Sequence, residues 1–155
     1  MRFHHMALYV VDLDRAIQLW RDVLGFSVEV AMTIPDGAEP APTVFASARL
    51  LDDTTGVSGT QSRMALLRSA EGAMIELQQF ETPRTELTPP DQLLHRYSGI
   101  RELGLEVTNI DGWFSKVRGA GYETQTDYVW SSANLGRSFI FYDAEGNMIQ
   151  LWENA

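Results

Sequence analysis

The stretch EGAMIEL, from Glu71 to Leu77, returns near the end of the chain as EGNMIQL, from Glu145 to Leu151. Setting aside a variable third position, the copies differ at one place, where Glu76 becomes Gln150. The opening of the chain is repeated as well: HHMALYVVDLDRAIQLWRDVLGFSVEV has a counterpart in RELGLEVTNIDGWFSKVRGAGYETQTD. Leu8 and Val10 match Leu105 and Val107, Leu13-Asp14 matches Ile110-Asp111, and Leu24-Gly25-Phe26 matches Ala120-Gly121-Tyr122 after a gap. An internal repeat constrains a fold more than any single motif, because each copy is one supersecondary unit that must bury its apolar face against a neighbour.

Each copy opens on an alternation that predicts a strand. His5, Ala7 and Tyr9 share one face; Met6, Leu8 and Val10 share the other, which is the apolar face turned to a core. Asp12 or Asp14 then offers a helix N-cap, and Ala16, Ile17, Leu19, Trp20, Val23 and Leu24 recur at helical spacing until Gly25 supplies a stop. In the second copy Trp113, Phe114 and Val117 precede Gly119 and Gly121. Strands are expected at Phe26 to Ile34 and Tyr122 to Trp130, then at Ser62 to Arg68 with Ala73 to Phe80, and at Ser138 to Asp143 with Asn147 to Glu153. Gly72 and Gly146 stand in the intervening turns, where a tight hairpin needs a positive φ.

The predicted class is therefore α+β: two tandem βαβββ modules forming a curved mixed sheet around a central cavity. Residues 1–80 form the first module, with an insertion at 35–61; residues 81–98 form a connector; residues 99–155 form the second module. Within the insertion, PDGAEPAP (Pro35 to Pro42) and DDTTGVSG (Asp52 to Gly59) read as loops, with a short helix over Thr43 to Leu51. In the connector, DQLLHRY reads as a helical turn.

Composition excludes several functions. With 155 residues and 45% apolar content, the chain is long enough to bury about two thirds of its unfolded surface. Its formal charge of -9, from 21 acidic against 12 basic residues, repels nucleic-acid phosphates and anionic membranes, so neither is an expected partner. The absence of cysteine excludes disulfides, thiolate metal sites and cysteine nucleophiles. MRFHHMALYVVDLD lacks a long apolar h-region and a small-residue cleavage pattern, and no apolar run approaches the ~20 residues of a membrane span; a cytoplasmic protein is expected. No nucleophile elbow or phosphate-binding glycine loop is present.

The paired βαβββ halves, the opening HMALYVVDLDRAIQLWRDVLGF, the GAMIELQQF strand and the closing FIFYDAEGNMIQLWE resemble the vicinal oxygen chelate superfamily over nearly the whole chain. That group includes glyoxalase I, methylmalonyl-CoA epimerase, extradiol dioxygenases, fosfomycin-resistance enzymes and metal-free bleomycin-binding proteins. LRSAEGAMIEL and the TGVSG loop before it look closest to the epimerase-like and glyoxalase I-like members. The resemblance implies four inward strand positions that hold a divalent metal. They fall on His5, rather than His4, and Glu102 in the opening strands, and on Glu76 and Gln150 in the closing ones.

Relatives that bind metal usually carry histidine at the position of Glu102 and glutamate at that of Gln150. The implied ligand set here is one imidazole, two carboxylates and one amide oxygen, which is harder than a typical zinc site and favours Mn²⁺, Fe²⁺, Mg²⁺ or Ni²⁺ over Zn²⁺. Plainer readings stand beside it: His5 as a structural histidine, Glu102 as a solvated strand-end acid, and Gln150 as a buried amide satisfied by a hydrogen-bonded ligand. The family glutamate at the position of Gln150 doubles as a base, which an amide cannot do. Glu102 and Glu106 are the expected catalytic carboxylates, with His95 as another candidate base. Tyr9, Gln78, His95 and Trp152 are candidate pocket residues.

The resemblance thus implies a metal-dependent isomerase, epimerase or lyase acting on a small oxygenated substrate, and a homodimer. Its alternative is a metal-free dimer that sequesters a small molecule. A dioxygenase fits less well, because one histidine replaces the two usually kept around iron.

Overall fold

The computed structural model describes residues 3–93 and 96–155. It divides into two compact units, Met1–Leu87 and Thr88–Ala155. Each is built on a mixed four-stranded sheet, and the chain is α+β in tandem βαβββ halves.

In the first unit the elements run β1 (Met6–Tyr9), α1 (Leu13–Gln18), β2 (Ser27–Ile34), α2 (Ala48–Thr55), β3 (Gln61–Arg68) and β4 (Met74–Thr82). The sheet order is β1-β4-β3-β2, with β1 parallel to β4 and the other pairs antiparallel. Asp12 caps α1 by accepting from the Arg15 N–H. The helix widens over Leu19–Val23 into a π turn that leaves both Leu19 and Trp20 buried, and Gly25 (φ 80°) ends it. Trp20 meets Phe26 edge to face at 5.0 Å.

The second unit runs β5 (Glu102–Glu106), α3 (Ile110–Gly119), β6 (Trp130–Ser132), β7 (Gly136–Tyr142) and β8 (Met148–Asn154), after a single 3₁₀ turn at Pro90–Leu93. Its sheet order, β5-β8-β7-β6, copies that of the first unit, again with one parallel pair. The two hairpin turns are the same structure. Gly72 donates to Ser69 O and Gly146 to Asp143 O, both at positive φ (92° and 87°), and the Ser69 hydroxyl and Asp143 carboxylate accept from the N–H groups of Ala73 and Asn147.

Two expectations are corrected. The strand predicted over Tyr122 to Trp130 pairs only around Thr124, which bridges Phe141, before a run of bends leads to β6. In this segment, Glu123, Gln125 and Asp127 alternate with residues that stay half-buried, so neither face has an apolar set strong enough to hold the register. The short helix begins and ends later than predicted. Ser47 caps it by accepting from Leu50 N, Gly56 (φ 71°) stops it, and Asp52 therefore lies inside a helix rather than a loop. From there Asp52 accepts from the N–H groups of Gly59 and Thr60. Among the described residues, no helix is long and apolar enough to cross a membrane.

Each sheet has one face under its first helix. In the first unit Ile75, Leu77, Ala65 and Leu67 lie there, all buried. The opposite face carries Glu76 and Gln78 from β4, Ala7 and Tyr9 from β1, and Met64 and Leu66 from β3. Helix α2 covers the β2–β3 side of that face, where Leu51 and Ala46 pack with Ile34 and Met64 and against Val30, Met32 and Leu66. The candidate site lies on the β1–β4 side of this face, beyond the α2 cluster.

Candidate functional site

Parallel pairing sets the site in each unit. In the first, Ala7 stands beside Glu76; in the second, Gly104 stands beside Gln150. His5 and Glu102 each come two residues before that partner, on the same face. The register thus makes His5 equivalent to Glu102, and Glu76 equivalent to Gln150.

In the first unit His5 Nε2 lies 3.6 Å from Glu76 Oε2, with the two side chains 38% and 23% exposed. His5 Nδ1 is 2.7 Å from His4 Nδ1, with the rings edge to face at 5.0 Å. The nitrogen turned to Glu76 is therefore the one not engaged by His4. Two donor atoms each roughly 2.0–2.2 Å from one cation stand about 3–4 Å apart at ordinary coordination angles. The His5–Glu76 pair fits that spacing.

Tyr9 follows on the same face, exposed, and meets Phe80 edge to face at 5.2 Å. Gln78 is buried, and its amide donates to the Ser62 hydroxyl at 2.9 Å. It braces β4 against β3 beneath Glu76 and Phe80.

In the second unit Glu102 and Glu106 are exposed acids flanking Gly104 on β5. The Gln150 carboxamide lies beside Gly104, its Oε1 3.7 Å from where a Cβ would stand, an ordinary van der Waals contact. Gln150 is half-buried, short of the full burial expected from its apolar neighbours. The Trp152 ring lies over Gly136, where a Cβ would clash with it, and its Nε1 donates to Asn154 Oδ1 at 2.9 Å. His95 lies outside the described residues.

Within each unit, among the described residues, no three His, Asp or Glu side chains gather as a cation site. A metal would need donors beyond a single pair. Two surface grooves lie elsewhere: one along α1 and β2, lined by Asp14, Arg21, Phe26 and Val28, and one at Arg118 and Tyr122 to Asp127.

The opposite face of each sheet holds contacts that the sequence reading missed. Arg63 forms a two-pronged ion pair with Asp14 on α1, and Arg137 forms the same pair with Asp111 on α3. These partners hold the Arg63 and Arg137 guanidiniums above their ordinary range and the Asp111 carboxyl below its own. Gln79 accepts from the Leu13 N–H at the start of α1, and Glu153 from the Ile110 N–H at the start of α3. The closing strands therefore exchange acid and amide: Glu76 with Gln79 in one, Gln150 with Glu153 in the other. The aligned Asp14 and Asp111, together with arginines at matching places in SRMALL and GRSFIF, are the signal that could have revealed the ion pairs.

A family model described as the Glyoxalase/Bleomycin resistance protein/Dioxygenase superfamily matches residues 2–151, and the chain belongs to that superfamily. A glyoxalase family protein from Bacillus cereus superposes with a TM-score of 0.80 at 22% identity, over 99% of this chain and 94% of its own. A glyoxylase/bleomycin resistance protein/dioxygenase domain from Frankia sp. gives 0.67 at 16% identity, over 100% and 93%. The trypanothione-dependent glyoxalase I of Leishmania major gives 0.62 at 16%, over 99% and 86%. At these identities the likeness is one of fold. No curated protein matches the chain.

Proposed function

We propose that this chain is a metal-dependent enzyme of the isomerase, epimerase or lyase type, acting on a small oxygenated substrate as a cytoplasmic homodimer. His5, Glu76, Glu102 and Gln150 are the proposed ligands. The observation that carries the reading is the His5–Glu76 pair, with its donor atoms 3.6 Å apart at positions that the second unit repeats as Glu102 and Gln150. Two carboxylates balance the charge of a dication, and a set with three oxygens favours Mn²⁺, Fe²⁺, Ni²⁺ or Mg²⁺ over Zn²⁺.

A divalent cation held there would supply a Lewis acid for negative charge developing beside a carbonyl. The remaining roles belong to the side chains. Gln150 can orient an oxygen through its amide but cannot take a proton at neutral pH. Glu102 and Glu106, exposed on one face of β5, are the proposed proton acceptors. The open Tyr9 ring, held at its edge by Phe80, offers an apolar surface beside Glu76.

Metal analysis of protein purified without chelator tests the reading. Near-stoichiometric divalent metal in the wild type, lost in both His5→Ala and Glu76→Ala, is expected. A metal-free wild type that still dimerises and retains a small molecule would instead support sequestration. That reading draws on the departures from the family ligand pattern at Glu102 and Gln150.

A further inference from the structure

The outer strands of the two sheets hold the same place in the repeat and are built differently. β2 is the last strand of its sheet, and among the described residues its outer edge pairs with no other strand. It runs eight residues, Ser27–Ile34, and its register on β3 is continuous from Val30 to Ile34 after a bulge beyond Val28. In the second unit the corresponding edge is broken. Glu123 and Gln125 bond to β7 on either side of the Thr124–Phe141 bridge, bends follow, and β6 returns for three residues, Trp130–Ser132.

An edge strand presents a row of unpaired N–H and C=O groups, which is a template for another chain; proteins blunt such edges by shortening or interrupting them, or with lysine and proline. The second unit is blunted by interruption. SVEVAMTI has neither lysine nor proline, and its one charged residue, Glu29, is held by Arg68. Val28, Ala31 and Thr33 are exposed along it, and the groove between α1 and β2 adds an apolar wall of Ile17, Phe26, Val28 and Ala31.

Charge decides what fits there. A net charge of -9 repels copies of this chain from one another over most approaches. At this edge the charges are already matched: Asp14 with Arg63, Asp22 with Arg21, and Glu29 with Arg68. Copies related by a twofold axis present one patch to itself, so the patch must be self-complementary. Antiparallel strands meet that condition through their backbones, and the neutral pairs beside them add no like-charge repulsion.

We infer that the outer edge of β2 is the interface between two copies of this chain, with β2 pairing antiparallel to β2 across a twofold axis. The inference rests on the homodimer reading above and names the surface through which the copies meet. It leaves the β1–β4 side, at the other end of the sheet, free for the candidate site.

Sedimentation velocity and amide hydrogen exchange test it together. Wild type should sediment as a dimer across a micromolar concentration series. Ala31→Lys sets a charge beside its twin across the axis and should raise the dimer dissociation constant by about 100-fold or more, because like charges brought together in an interface are strongly unfavourable. Its circular dichroism should match wild type, since Ala31 is exposed. Ser131→Lys, the same change at the exposed middle of β6, should leave the dimer intact. Amides of β2 should exchange more slowly in the dimer than in the monomer reached by dilution, while those of β6 exchange alike.

A dimer that Ala31→Lys leaves intact, or one whose β2 amides gain no protection, overturns the inference and keeps the homodimer reading. Equal weakening by Ser131→Lys also overturns it, as an effect of charge at large. A monomeric wild type refutes both readings and leaves the edge to a strand from another protein.

Discussion

The two units agree on one face and differ on the other. Under α1 and α3 they repeat the same contacts: an Arg–Asp pair from the sheet to the helix, and a side-chain acceptor for the first helical N–H. On the opposite face His5 and Glu76 are replaced by Glu102 and Gln150, and Gln78 by Trp152. The helix face fixes where the strands lie. The other face can change its chemistry without disturbing that placement, because its side chains hang from a register already set by the hairpin turns and the parallel pair.

The scaffold half of this comparison breaks most visibly in the core. Leu77 and Leu151 occupy equivalent places in β4 and β8, and both are fully buried. Each mutation to alanine should cost about 2–5 kcal/mol, measured by urea unfolding. A large cost at one position with almost none at the other would show that the faces are not packed alike.

On the site face, loss of a proposed ligand from the first unit, His5 or Glu76, should weaken cation binding by more than the roughly 10–100-fold that outer contacts contribute. Gln150→Glu should preserve binding or tighten it. Loss of metal in Gln150→Glu would count against the ligand assignment.

A smaller effect is expected at the helix starts. Gln79→Leu and Glu153→Leu each remove an acceptor from a first-turn N–H, and a cost of about 0.5–2 kcal/mol is expected from thermal melts. The Glu153 change should cost slightly more and be partly masked by salt, because that carboxylate also meets the positive end of α3.

The smallest effect should appear in acid. Backbone N–H bonds from Phe45 and Ala46 hold the Asp36 carboxyl below its ordinary range, and those from Thr60 and Gly59 do the same for Asp52. Groups so lowered stabilise the fold above their ordinary values near 4 and lose that contribution as pH falls through the folded ones. The insertion holding both aspartates should therefore lose amide-exchange protection before the second unit does, and the reverse order would contradict the assignment.

The repeat made the fold readable because Leu8, Val10, the glycine-bearing turns and the EG-x-MI-x-L strands are all local signals. Tyr122 to Trp130 misled because β-forming residues there lack an apolar face, and strand identity depends on a neighbour that sequence does not show. The candidate site positions came from the family resemblance, and the repeat pairs them between the two halves. Their surroundings were not legible, because the His4–His5 contact and the bond from Gln78 to Ser62 depend on side-chain direction and cross-strand register. The exchange of acid and amide at Gln79 and Glu153 could have been read from the aligned strands, but its meaning needed the helix starts.

The central proposal is that Glu76 and Gln150, at equivalent places in the two units, are both cation ligands. Mn²⁺ titration of wild type, Glu76→Gln, and the exchanged variant Glu76→Gln with Gln150→Glu tests it most directly. The single change should weaken binding by more than about 100-fold, a loss beyond that of outer contacts, and the exchange should bring affinity back to within a few fold of wild type. An exchanged variant no better than Glu76→Gln alone, or a Glu76→Gln that binds as wild type does, would contradict it.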